Sequence, residues 1–233
     1  MTLEASPDSS KRGSDDREIR IPAAGVFLEG TVTVPPAARG IVLFAHGSGS
    51  SRHSPRNVFV ATALRKAGLA TLLFDLLTEP EAADRGNVFD IELLAARLRA
   101  ARDWVRTDPV TDGLAIGYFG ASTGAAAALV AAADDPASRA VVSRGGRPDL
   151  AAAALPRVTA PTLLVVGGED FGVIELNESA YARLRCVKRL AIVPGATHLF
   201  EEPGALDEVV RLARDWFVAH LAGPSAGPIA NEQ

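Results

Sequence analysis

The sequence predicts an α/β protein: a doubly wound, mostly parallel sheet with helices on both faces and minimal or no cap. Three observations predict it. Six short continuous apolar runs read as strands buried on both faces, as in parallel sheets covered by helices. Helix start and stop signals fall between those runs. Strand and helix alternate along the chain, which implies right-handed crossovers.

The elements follow in order. Residues 1–16, MTLEASPDSSKRGSDD, are polar and charged and read as a disordered arm without the apolar core of a signal peptide. "REIRIP" and "VFLEGTVTVP" alternate apolar and polar residues, as half-exposed antiparallel strands do. The six buried runs are "GIVLFAH" (40–46), "GLATLLFD" (68–75), "LAIGYFG" (114–120), "RAVVS" (139–143), "APTLLVVGG" (160–168) and "RLAIVPG" (189–195). Ser54-Pro55 starts a helix, with serine as N-cap and proline in the first turn. Ile91, Leu94, Leu98 and Val105 line one face of a second helix, which Asp108-Pro109 stops. An alanine-rich helix follows Gly124. Leu206, Val209, Val210, Ala213, Phe217 and Leu221 mark a last amphipathic helix, ended by Gly223-Pro224. The stretch after Asp75, "LLTEPEAADRGNVFD", suffices for a loop or a turn of helix but not for a lid domain, so an open site is expected beneath it. The expected organisation is one domain over 17–222 and a flexible tail over 223–233.

Composition narrows the function. The 233 residues carry a net charge of −4, 48% are apolar and 22% charged. That argues against a broad basic footprint for nucleic acid. No apolar run approaches the roughly 18 residues a membrane span needs. The one cysteine, Cys186, rules out an internal disulfide framework, and a reducing cytoplasm is the expected setting.

Chemistry concentrates in four places, each just past the carboxyl end of an expected parallel strand, the edge where open α/β sheets bind ligands. Gly120-Ala121-Ser122-Thr123-Gly124 fits G-x-S-x-G between strand and helix, the setting of a nucleophile elbow. A serine hydroxyl is a weak nucleophile and needs a base held by an acid. Of the four histidines, His198 follows the last strand in a loop before the final helix and is the candidate base; His220 lies inside a helix. Asp170, past the strand at 162–166, is the candidate acid, with Asp149 and Glu169 as alternatives. The backbone N–H of Thr123 and that of Ser48, in the loop after "GIVLFA", are the candidate oxyanion donors. That Gly/Ser loop matches neither G-x-G-x-x-G nor G-x-x-x-x-G-K-[ST], which argues against nucleotide binding.

The stretches "GYFGASTG", "FAHGSGSSRHSPRN", "VVGGED" and "VPGATHLFEEPG" resemble those of α/β-hydrolases, and more narrowly the small dienelactone-hydrolase-like group, over residues 17 to 221. Dienelactone hydrolases proper use a cysteine nucleophile where this chain has Ser122. The resemblance therefore implies ordinary ester hydrolysis by a Ser122–His198–Asp170 triad rather than the dienelactone reaction. Thioester hydrolysis or acyl transfer could use the same residues, and a non-catalytic binding protein on this fold is the contrasting class. His53, Arg52 and Arg144 are candidate substrate contacts, because arginine pairs with a carboxylate in a bidentate fork. The simpler expectation for Arg52, Arg56, Arg144 and Arg147 is salt bridges with Asp75, Asp149 or Glu79. No metal-binding spacing occurs, and neither metal nor cofactor is expected. The expected partner is a small-molecule ester.

Overall fold

The computed structural model describes residues 16–221. The expected tail over 223–233 lies outside the described residues, as does the expected arm apart from Asp16, which opens the first strand. The eight expected strands form one sheet in the order β1-β2-β4-β3-β5-β6-β7-β8. β1 (Asp16–Ala23) and β2 (Val26–Thr33) pair antiparallel through the two-residue turn Ala24-Gly25, both with positive φ, the twist-matched hairpin turn. β2 also runs antiparallel to β4 (Ala70–Phe74). β3 (Gly40–Ala45), β4, β5 (Ala115–Ala121), β6 (Ala140–Arg144), β7 (Thr162–Gly167) and β8 (Lys188–Val193) are parallel.

Two cores explain five of the six apolar runs; the sixth, β8, was expected to be buried on both faces but is the sheet's edge strand, and only its Val193 is buried. β3 alternates Ile41, Leu43 and Ala45 into one and Val42 and Phe44 into the other. The first core lies beneath α4 (Ile91–Thr107) and α5 (Thr123–Ala133); the second lies beneath α1 (Pro55–Lys66) and α7 (Ala205–Leu221). The Ala125–Ala128 run of α5 is wholly buried, and its methyl side chains let the helix axis sit close to the sheet.

The segment after Asp75 forms two short helices, α2 (Glu79–Ala82) and α3 (Arg85–Phe89). A capping box holds the first, with Thr78 N–H donating to the Glu81 carboxylate at 2.9 Å. The buried Arg97 guanidinium ties that carboxylate, at 2.6 Å, to the Ala23 carbonyl, at 2.5 Å. These helices roof part of a cavity of about 550 Å³ that still opens to solvent, as expected of a fold with minimal cap. A further helix, α6 (Phe171–Arg183), follows β7. Among the described residues no helix is long and apolar enough to cross a membrane.

Candidate active site

Ser122 sits between β5 and α5 at φ 51° and ψ −121°, a conformation that costs a non-glycine residue about 1–3 kcal/mol. The surroundings enforce it. A Cβ at Gly120 would meet Ala125 N at 2.7 Å, and one at Gly124 would overlap the Ala45 carbonyl. Strand and helix thus pass too close for any side chain at either position. Ser122 occupies the N-cap position of α5, yet its side chain makes no capping hydrogen bond. The caps of α1, α3 and α4 behave otherwise: Ser54, Asp84 and Asp90 all accept backbone N–H groups.

Asp170 repeats the pattern. It is the N-cap of α6 and makes no side-chain cap. Instead its Oδ2 lies 2.7 Å from His198 Nδ1. A carboxylate only accepts, so Nδ1 carries a proton, and in the neutral ring that tautomer leaves the lone pair on Nε2. Asp170 is the more buried partner, with 16% side-chain exposure against 37% for His198. The alternatives for the acid lie elsewhere. Asp149 takes a bidentate pair of hydrogen bonds from Arg147 at 2.8 and 2.9 Å, and Glu169 is exposed. Ser122 and His198 line one cavity of about 220 Å³. Among the described residues no hydrogen bond joins their side chains, a common state of such pairs before substrate binds.

The Ser48 and Thr123 backbone N–H groups donate to no acceptor among the described residues. Gly47 lies against the elbow: a Cβ there would meet Ser122 Cβ at 3.0 Å. His46, quoted in the sequence only as part of the loop motif, fixes this loop. Its Nε2 accepts from Leu76 N–H at 3.1 Å, and its Nδ1 lies 3.0 Å from the Gly47 carbonyl. Burial pushes its pKa below the ordinary imidazole value, against the opposing pull of that carbonyl and of Asp75. Periodicity and motif matching miss this role, because it depends on the spatial neighbour Leu76.

The arginines separate. Arg52 is turned away to Asp75, through both its backbone N–H (2.7 Å) and its guanidinium. His53 is exposed and lines neither cavity. The structure brings neither to Ser122. Arg144 is different: it lines the Ser122 cavity, is 7% exposed and has no carboxylate partner among the described residues. Burial and the nearby Arg56 lower its pKa to about 10, so it remains cationic at neutral pH. Arg56 and Asn57, which the sequence did not single out as contacts, line the same cavity. Among the described residues no group of three or more His, Cys, Asp or Glu side chains could hold a metal ion.

Residues 29–216 match the Dienelactone hydrolase family. A Mycobacterium tuberculosis protein named putative phosphoribosyl transferase is 61% identical over 210 residues, which cover 90% of this chain and 47% of that protein. The chain therefore spans about half the length of the curated relatives it matches. The crystal structure of a dienelactone hydrolase from Anabaena variabilis superposes with a TM-score of 0.87 at 56% identity, covering 89% of this chain and 99% of that one. Est1E from Butyrivibrio proteoclasticus superposes at 0.74 with 16% identity, covering 88% and 99%, a likeness of fold.

Proposed function

The chain belongs to the dienelactone hydrolase family and is an α/β hydrolase, and from that premise we propose that it cleaves carboxylic esters through an acyl-enzyme on Ser122. The observation that carries the reading is the 2.7 Å contact of His198 Nδ1 with Asp170 Oδ2, at the cavity where the uncapped Ser122 stands.

In this reading His198 Nε2 takes the proton as Ser122 Oγ attacks the ester carbonyl. Asp170 holds the imidazole in the tautomer that can accept and stabilises the imidazolium that forms. The Thr123 and Ser48 N–H groups, free of other acceptors among the described residues, receive the developing oxyanion. His198 then protonates the departing alcohol. Water enters, gives a proton to His198, and releases the acid. With a single cysteine in the chain, a reducing cytoplasm is the proposed setting.

Hydrolysis of 4-nitrophenyl acetate tests the proposal. Ser122→Ala should fall to background, and Asp170→Asn should lose about 10⁴-fold in kcat, the scale at which a triad acid acts. Asp149→Asn should stay within about twofold of wild type. Wild-type rates in the Ser122→Ala protein would refute the nucleophile, and equal losses in the two aspartate variants would refute the acid.

A further inference from the structure

The cavity holding Ser122 and His198 is lopsided in charge. Arg144 and Arg56 line it, and no carboxylate does. Arg56 has a partner, Glu201, at 2.8 Å on its outer side. Arg144 has none among the described residues: its Nε and Nη1 are buried without an acceptor there, and Phe200 lies 5.9 Å from the guanidinium carbon. Arg147, three residues on, is fully paired with Asp149, so the isolation of Arg144 is particular to this position. An uncompensated buried charge is strongly destabilising, and a carboxylate fits the guanidinium fork. With Arg56 paired to Glu201 and Asp170 committed to His198, Arg144 is the cavity-lining cation left without a carboxylate among the described residues, and a substrate carboxylate would supply one.

Across the wall formed by Gly47, Ser48 and Ser50 lies the roofed cavity of about 550 Å³. Thr123 and Ser48 reach into it, and Leu76, Leu77, Leu94, Val88 and Phe89 make its lining mainly apolar, with Asp75, Glu79 and Arg85 as its charged members. Phe89, at its rim, is 48% exposed. The two cavities thus meet at the proposed oxyanion donors, one cationic and one mainly apolar.

We propose that the substrate is an amphipathic open-chain ester, with a carboxylate held by Arg144 on one side of the scissile bond and a hydrocarbon or aromatic group under α2 and α3 on the other. The inference rests on Ser122 being the nucleophile. Half-esters of short dicarboxylic acids place the charge in the acyl part; acyl esters of hydroxy acids place it in the alcohol. For monohexyl succinate, Ser122 Oγ bonds to the acyl carbon as the bond to the hexyl oxygen breaks. Hexanol leaves with the proton from His198, and water releases succinate.

The test compares kcat/KM for monohexyl succinate and for the hexanoyl ester of glycolate, each against its uncharged isostere, in the full chain. One charged ester should be preferred by about tenfold or more, as a charge-assisted hydrogen bond would give, and which one assigns the charge to the acyl or the alcohol side. Arg144→Met should collapse that preference, chiefly through KM, without lowering Tm. Shortening hexyl to methyl should lose up to about a thousandfold in wild type, the scale for five fully buried methylenes, and Leu77→Trp, which fills the apolar cavity, should flatten that dependence. Three results would overturn the inference: no preference for either charged ester, a preference that survives Arg144→Met, or equal loss on charged and uncharged esters with a lower Tm. Labelling of Ser122 by a fluorophosphonate separates the two levels. A labelled wild type without charge preference sinks this inference alone; an unlabelled wild type sinks the nucleophile beneath it.

Discussion

At the scale of single residues, the molecule spends side chains unevenly. Ser54, Asp84 and Asp90 cap their helices, and Ser122 and Asp170 do not. A cap is worth about 1 kcal/mol, so withholding two of them, with a strained φ at Ser122, is a stability loss accepted at one place in the fold. The consequence is measurable. Ser122→Gly, which relaxes the positive φ, should match or exceed wild-type stability by up to about 1 kcal/mol in urea unfolding while losing activity. Ser54→Ala should lose about 1 kcal/mol. Gly124→Ala should be far worse, by about 2 kcal/mol or more, because its Cβ would overlap the Ala45 carbonyl.

His46 gives the residue scale a pH signature. Burial holds its pKa below the ordinary imidazole value of about 6.5, and burial lowers that of His220 as well. Below pH ~6.5 the unfolded chain therefore binds protons that the folded chain does not, and stability falls as pH drops from 7 towards 5. The limiting slope is about 1.4 kcal/mol per pH unit for each such proton. Urea midpoints measured across that range check it: His46→Gln should flatten the slope, and a midpoint that rises with acid would contradict the assignment.

At the scale of elements, legibility followed burial. β3, β4, β6 and β7 are buried along their whole length, and their apolar runs stood out as strands. α6 escaped notice for the opposite reason. Only Asn177 and Ala180 of its thirteen residues are buried, and Phe171 is 67% exposed, so no apolar stripe marks it; its N-cap side chain, turned to His198, gives no ordinary start. The roof formed by α2 and α3 was likewise hidden, since it depends on Arg97 bridging Glu81 and Ala23, residues far apart in sequence. Arg97→Met would remove the cation from the part-exposed Glu81 carboxylate, which keeps its Thr78 donors, a loss of about 1.5–3 kcal/mol. Hydrogen exchange should show faster opening of residues 77–89 in that variant, and unchanged protection there would mean the roof is held by packing alone.

At the scale of the whole molecule, the topology sets Ser122, Asp170, His198 and the Ser48 loop at the carboxyl ends of β5, β7, β8 and β3. That convergence was legible because parallel strands point their ends to one edge. Which charges stay unpaired there was not. Arg52 and Arg144 look alike in sequence, yet one finds Asp75 and the other finds no carboxylate, a difference that only packing decides.

The central claim is that Ser122 is made nucleophilic by His198 held on Asp170. Mass spectrometry of the intact chain and its peptides after brief treatment with a fluorophosphonate tests this most directly. The account predicts one adduct on Ser122 in wild type, and in His198→Ala labelling slowed by about three orders of magnitude or more. An adduct elsewhere, or equally fast labelling of Ser122 without the imidazole, would contradict it.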